Sequence, residues 1–433
     1  VKQIDYPQLG ETLYQETLAN GLRVYLLPKA GYHRTYAVMT TEYGSIDNDF
    51  VPYGQSEMVS LPAGIAHFLE HKMFEKADHD AFDTFAHFGA SSNAFTSFTH
   101  TSYLFSTTRN LKENLETLLD FVQDPYFTDK TVNKEKGIIG QEIQMYEDDP
   151  NSRAYFGTIA NLYPDQPLAN DIAGTIDSID KITPEDLYLA HKTFYHPSNM
   201  SLFIVGKVTP EETMQWVRDN QAQKDFGEPQ PIKRQSLVPL RDGSDIVRRR
   251  TLTMPVERPK VTIGIRGLDE LPTGRDRLKF EDALSIGMEL LIGDTAPDFL
   301  RLYDQGVIDD SFGYNIEVQR GAHFVVLAGE TEDPAAFETE LLAILAQAKD
   351  KLKGTQETFD LAKREEFGST ITAFNSLEAI ANQFDDQLYA PSNLFDEAAI
   401  IDELTLDDVI AALDQFLKPE AISVQRIVAP EAG

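Results

Sequence analysis

Apolar positions along the chain follow two different periods. Alternating β-branched and aromatic residues at Arg23–Leu27, Tyr36–Tyr43, Thr101–Thr107 and Leu202–Val205 predict strands. Between them lie stretches whose apolar residues recur at helical intervals. Gly64-Ile-Ala-His67-Phe-Leu-Glu70-His71-Lys-Met-Phe reads as one helix that is apolar nearly all round, which predicts burial. Residues 131–146 read as a second helix, with Glu135, Ile138, Ile139, Glu142, Ile143 and Tyr146 on one stripe. Strands interleaved with helices in this way predict an α+β fold in which helices pack on a largely antiparallel sheet.

The pattern repeats. Residues 182–201, ITPEDLYLAHKTFYHPSNMS, align without gaps on 404–423, LTLDDVIAALDQFLKPEAIS. Thr183 matches Thr405, Asp186 matches Asp408, Phe194 matches Phe416, Pro197 matches Pro419 and Ser201 matches Ser423. Each copy opens with Thr-x-x-Asp, whose hydroxyl and carboxylate can serve the free amides of a first helical turn. Each then breaks at proline and enters an apolar strand. Upstream, Tyr103-Leu-Phe-Ser-Thr-Thr and a helix from Leu111 correspond to Phe324-Val-Val-Leu-Ala-Gly and a helix from Pro334. One repeat separated by more than 200 residues predicts two homologous lobes, since solenoid repeats recur every ~20–50 residues. The polar, proline-bearing stretch 220–237 reads as the connection. The expected division is a catalytic lobe over 1–220, a linker over 221–237 and a second lobe over 238–433.

Composition narrows the chemistry. With no cysteine, disulfides and thiolate ligands or nucleophiles are excluded, so any metal must use histidine and carboxylate. A net charge of −32 argues against nucleic acid, whose phosphates it would repel. The same charge suits a soluble surface or an acidic cavity for basic peptides. No apolar run approaches membrane-spanning length and Val1–Asp5 shows no secretion signal, so a cytoplasmic location is expected.

Eight of the nine histidines precede residue 201, leaving His323 alone in the second lobe. His67 and His71 lie four residues apart on one helical face with Glu70 beside them, a spacing that grips a tetrahedral cation from one rigid helix. Leaving two imidazoles and a carboxylate unpaired on a buried face would be expensive. Their order, His-x-x-Glu-His, is a zinc-peptidase motif. A catalytic zinc takes three protein ligands and keeps one open position, so an acidic residue on another buried helix is expected. Glu135 and Glu142 both qualify, and the pattern alone does not choose between them.

The motifs His67-Phe-Leu-Glu70-His71, Ser91-Ser-Asn93-Ala94-Phe95-Thr96-Ser97 with His100-Thr-Ser-Tyr103, and Glu135-x6-Glu142, in that order, resemble the inverzincin metallopeptidases of the pitrilysin, insulysin and mitochondrial processing peptidase type. The resemblance spans essentially the whole chain and fits the half-length, processing-peptidase-like members. It implies one zinc per chain held by His67, His71 and Glu142, with Glu70 as general base and Glu135 in a supporting catalytic role. It implies that Asn93, Ala94, Phe95 and Thr96 form an edge strand onto which extended peptides are laid. His79, His87 and His100 are read as packing or surface residues. Half-length members pair subunits into an enclosing shell, and the facing half supplies an Arg and a Tyr in an Arg-x3-Gly-Leu-x-Tyr setting. Placing Gly306 on that glycine puts Leu302 and Asp309 where Arg and Tyr would stand, with Arg301 and Tyr303 close by but wrongly spaced. A heterodimer with a homologous subunit is therefore expected, with a homodimer, or a non-catalytic subunit role for this chain, as alternatives.

Overall fold

The structure is a computed structural model that describes residues 1–430. In chain order the first half forms strands β1 (Lys2–Tyr6), β2 (Glu11–Thr17), β3 (Arg23–Pro28), β4 (Thr35–Thr41), β5 (Asp49–Val51) and β6 (Val59–Ser60). Helices α1 (Ile65–Phe74) and α2 (Ala81–Phe88), strands β7 (Ala90–Thr96) and β8 (Thr101–Thr107), and helices α3 (Leu111–Gln123), α4 (Asp129–Asp148) and α5 (Pro150–Leu162) follow. Helices α6 (Ile176–Ile179) and α7 (Pro184–Phe194), strand β9 (Met200–Gly206) and helix α8 (Pro210–Gln221) complete it. The second half forms β10 (Lys233–Arg234), β11 (Arg249–Thr253), β12 (Lys260–Arg266), α9 (Gly274–Ile292), α10 (Pro297–Asp304), β13 (Gly313–Gln319) and β14 (Ala322–Glu330). Then come α11 (Pro334–Ala346), α12 (Ala348–Leu352), α13 (Gln356–Ala373), α14 (Leu377–Gln383), α15 (Glu397–Glu403), α16 (Leu406–Phe416) and β15 (Ile422–Val428). Among the described residues no helix is long and apolar enough to cross a membrane.

The expected α+β class holds, and the repeat extends to whole sheets. A seven-stranded sheet runs β1-β2-β3-β9-β4-β8-β7, a five-stranded sheet runs β11-β15-β12-β14-β13, and β10-β5-β6 form a small third sheet outside the repeat. Five strands correspond in order: β3, β9, β4, β8 and β7 against β11, β15, β12, β14 and β13. Each of the two larger sheets has a single parallel pair, β3 with β9 and β11 with β15, and is otherwise antiparallel. Both Thr-x-x-Asp sequences form reciprocal caps: Asp186 N donates to Thr183 Oγ1 and Thr183 N to Asp186 Oδ2, with the same two bonds between Thr405 and Asp408.

The chain forms two compact units that interleave along the sequence: Val1–Gln144, Asp171–Gln235 and Ala373–Phe384 in one, and Met145–Asn170, Ser236–Thr372 and Asp385–Gly433 in the other. This differs from the simple division at 220 and 238 in three respects. Helix α5, from the first half, packs on β12 and β15 of the second unit; a Cβ on Gly264 would meet Thr158 Cγ2 at 2.5 Å, so glycine admits the helix. Helix α14, from the second half, packs on β4 and β9 of the first, where Tyr36 Oη donates to Asn382 Oδ1 at 3.1 Å. The stretch 220–237 is also partly ordered into the first unit. Lys233 and Arg234 pair with Val51 and Phe50, and the Arg234 guanidinium lies 5.3 Å from the Phe194 ring centroid.

Candidate metal centre

Helix α1 starts from Gly64, whose φ of +88° is a left-handed conformation and whose Cβ position lies 2.4 Å from the Ala173 carbonyl oxygen. Only glycine satisfies both conditions, and the sharp entry fixes where the helix begins. Ile65, Ala66, Phe68, Leu69 and Met73 are fully buried in the core of the first unit, so the helix is held on nearly every side. Rigid packing of this kind places His67, Glu70 and His71 with little freedom.

The second contributor, α4, anchors through Val132, Ile139 and Ile143. Ile138, expected on the buried stripe, is 46% exposed, and Val132 takes its place. The stripe therefore lies slightly further round the helix than the pattern suggested, and it still carries Glu135 and Glu142 toward α1. His67 Nε2 lies 3.7 Å from Glu142 Oε1, and His71 Nε2 lies 3.6 Å from Glu142 Oε2. One ligand atom from each of the three residues lies within 4.8 Å of the others. Two imidazole nitrogens and a carboxylate oxygen converging this way fit the donor set of a zinc site with an open position.

Glu135 has a separate place. Its Oε1 lies 3.1 Å from His71 Nδ1, so that nitrogen carries the proton and Nε2 faces the other donors. Burial opposes charge on both groups and is the largest single influence, but the mutual bond and the neighbouring charges (Glu70 and Glu142 on His71, Lys72 and Lys134 on Glu135) together outweigh it, raising the His71 pKa and lowering that of Glu135. His67 differs: burial, reinforced by the His71 charge, pushes it down to about 3, which keeps it neutral, the form that donates to a metal. Its Nδ1 is buried without a hydrogen-bond partner.

Glu70 is buried at 9% exposure and bonds to neither histidine; its Oε2 accepts from Thr96 Oγ1 at 2.8 Å. Burial raises its pKa, and the Thr96 bond moderates the rise. Thr96, expected among the substrate-strand residues, thus turns its hydroxyl to the carboxylate. Nothing in the sequence pattern marked that bond. Strand β7 carries Asn93, Ala94, Phe95 and Thr96 and pairs only with β8, so its outer edge has no neighbouring strand among the described residues. A cavity of about 650 Å³ opens beside the site, lined by Glu70, His71, Phe74, Phe82, Asn93 and Glu135 among others. Phe74 and Phe82 stack at 4.0 Å to form its aromatic wall.

Two further observations complete the surroundings. Lys72, the one lysine of α1, is fully buried and ion-paired with Glu75; its charge is the signal that could have singled it out on an otherwise apolar helix. Of the three histidines read as packing or surface residues, His79 bonds Asp78 at 2.7 Å and also lines the cavity, and His100 Nδ1 lies 3.0 Å from Ser97 Oγ.

A two-lobed α+β fold with histidine, histidine and glutamate converging from two helices of one lobe is the architecture of a metallopeptidase class, and the comparisons with known proteins agree. The profile for insulinase, peptidase family M16, matches residues 59–176, and that for the M16 inactive domain matches 181–366. The chain belongs to the M16 family. It is 46% identical over 429 residues to an uncharacterized zinc protease, YmfH, of Bacillus subtilis, covering 99% of both chains. The zinc protease PqqE of Helicobacter pylori is 24% identical, over 93% of this chain and 89% of that one. Among solved structures, an M16-like peptidase from Alicyclobacillus acidocaldarius superposes with a TM-score of 0.90 at 33% identity, covering 97% of this chain and 99% of the other. The resemblance read from the motifs is borne out at the level of the family.

Proposed function

We propose that this chain is a zinc-dependent endopeptidase acting on short, extended peptides. The observation that carries the reading is the convergence of His67 Nε2, His71 Nε2 and a Glu142 oxygen beside a buried carboxylate, Glu70, that is not one of the three. When bound, the zinc supplies Lewis acidity that acidifies water and polarises a scissile carbonyl. Glu70, with its raised pKa, is suited to accept a proton from the attacking water and return it to the leaving amine. Glu135 holds the His71 tautomer, and the free edge of β7 offers main-chain groups to an extended peptide. The net charge of −32 favours basic or amphipathic substrates. Digestion of a mixed peptide library with and without chelator, read by mass spectrometry, tests the reading. Glu70→Gln is expected to keep zinc and to lose hydrolysis by about 10²-fold or more. Near wild-type turnover in that variant would remove the assigned base.

The expected heterodimer belongs to the same proposal. Leu302 is fully buried and Asp309 is ion-paired with Arg258, so neither can act as a donor to a developing oxyanion. Arg301 is engaged by Asp298 and Glu340, and Tyr303 Oη donates to Asp310 at 2.9 Å. Losing one such donor lowers the rate by about 10²–10³. A homologous partner supplying Arg and Tyr is therefore expected to raise activity over the isolated chain. Full activity from the chain alone, undiminished on dilution, would refute this.

A further inference from the structure

The two repeats differ in what covers one particular groove. In the first unit, α8 packs against α3 and β3. Met214 and Val217 are its fully buried anchors, while Glu211, Glu212 and Asp219 face outward. The segment after it continues the cover: Lys224 Nζ donates to the Leu119 carbonyl at 3.1 Å, and the Phe226 ring meets the His196 ring edge-on at 6.2 Å. Beneath this cover Leu119, Met200 and Leu202 are fully buried.

The second unit has the same groove without the cover. Helices α3 and α11 are both 13 residues long, and their burial patterns align without a gap, placing Leu342 on Leu119 and Ala346 on Gln123. The repeat over 182–201 and 404–423 places Leu417 on Tyr195 and Ile422 on Met200. Where Leu119, Tyr195 and Met200 are buried, Leu342, Leu417 and Ile422 are half-buried, and Ala346 is exposed where Gln123 is buried. These residues line a cavity of about 330 Å³. Among the described residues no helix takes the place of α8 there, and β11 has no strand on the edge where β3 has β2.

The rim supplies the second half of the argument. Arg248, Arg249 and Lys418 border the cavity, and Arg250 follows on the exposed edge strand. Arg249 and Arg426 share one carboxylate, Glu338, which leaves a surplus of positive charge. In a chain of net charge −32 this is a basic island around an apolar floor. We infer that the groove between α11 and β11 is a docking site for an amphipathic helix with an acidic flank, presented by a partner protein. The apolar face of that helix would occupy the position that Met214 and Val217 fill in the first unit, and its acidic side would meet the arginine rim.

The test uses the full zinc-loaded chain and two fluorescently labelled probes. One copies residues 209–225, the acidic amphipathic helix that fills the corresponding groove. The other carries lysine in place of Glu211, Glu212 and Asp219. The acidic probe is expected to bind about tenfold or more tightly than its charge-reversed form at low salt, and to weaken as salt rises. Leu342→Asp and, at the exposed neighbouring position, Ala346→Glu are expected to lower its affinity by about tenfold or more, with unchanged thermal unfolding and unchanged peptidase activity. No binding, equal binding of the two probes, or binding indifferent to both substitutions would overturn the proposal. Self-association of the chain that Leu342→Asp abolishes would also overturn it, since the occupant would then be a second copy.

Discussion

Replacing Glu281 by glutamine should stabilise the second unit at alkaline pH and leave it nearly unchanged in acid. Glu281 and Asp282 on α9 face Glu366 on α13 and Glu397 on α15, with Glu317 acting on Glu281 from β13. The cations and donors nearby are few: Arg277 acts on Glu281, Tyr389 Oη donates to Glu281 Oε2 at 2.7 Å, and Thr370 reaches Glu397. Asp282 is 5% exposed and its Oδ2 has no partner. Burial, with the neighbouring carboxylates adding to it, pushes Glu281 and Glu397 each up to about 7 and raises Asp282 well above its ordinary range. A carboxyl whose folded pKa exceeds its unfolded value contributes stability that is complete below the unfolded value of about 4.5 and is lost as pH rises through about 7. At ~1.4 kcal/mol per pKa unit the Glu281 loss is at most about 3 kcal/mol, and water entry on ionisation reduces it to about 1–3. Glutamine keeps the shape and the acceptor for Tyr389 but cannot ionise. In a unit of about 200 residues the gain at pH 9 corresponds to a rise in unfolding temperature of about 3–8 °C, against about a quarter of that at pH 5. Calorimetric scans of both proteins at pH 5, 7 and 9 measure it. A difference that does not grow with pH, or a variant less stable at pH 9, would refute the reasoning.

Two more substitutions test the centre itself. Glu135→Gln removes the charged acceptor from His71 Nδ1 and is expected to weaken zinc affinity by about 10–100-fold in competition with a chelator. Gly64→Ala forces a side chain into a left-handed position 2.4 Å from a carbonyl oxygen, and should lower stability by about 2 kcal/mol or more and reduce metal retention in parallel.

The candidate centre was legible because its geometry is local. His67, Glu70 and His71 share one helix, and helical spacing alone puts both imidazoles on one face. Glu135 and Glu142 also share one helix, so only their relation to α1 lay outside the pattern. The displaced stripe on α4 shows how far such reading reaches. A spacing argument fixes the period of a helix, while its rotation is set by the surface it packs on, which is why Val132 and not Ile138 faces inward. The Thr96–Glu70 bond joins a strand to a helix across 26 positions of sequence, and no period links them. The packing of α5 and α14 on the opposite repeat's sheet is invisible for the same reason, because each is an ordinary amphipathic helix whose partner is set only in three dimensions.

The repeat also shows what the two lobes did with a shared framework. Helices α9 and α13 occupy in the second fold order the places that α1 and α4 occupy in the first, entering after β12 and β14 as α1 and α4 enter after β4 and β8. On α1 and α4 the inward ionisable groups are His67, Glu70, His71, Lys72, Glu135 and Glu142, a mixed set in which His67, His71 and Glu142 lie close enough together to hold a metal ion. On α9 and α13 they are Glu281, Asp282 and Glu366, with Glu397 beside them, carboxylates that protons satisfy. No three of these acids come close enough together to hold a metal ion. Burial, with the neighbouring carboxylates adding to it, favours the protonated form of these acids and pushes Glu281 and Glu397 each up to about 7. One framework therefore carries two kinds of buried polar cluster, a histidine and glutamate set with the donors of a metal site in one lobe and a set of carboxyls with raised pKa in the other. The second is why the stability of that lobe is tied to pH.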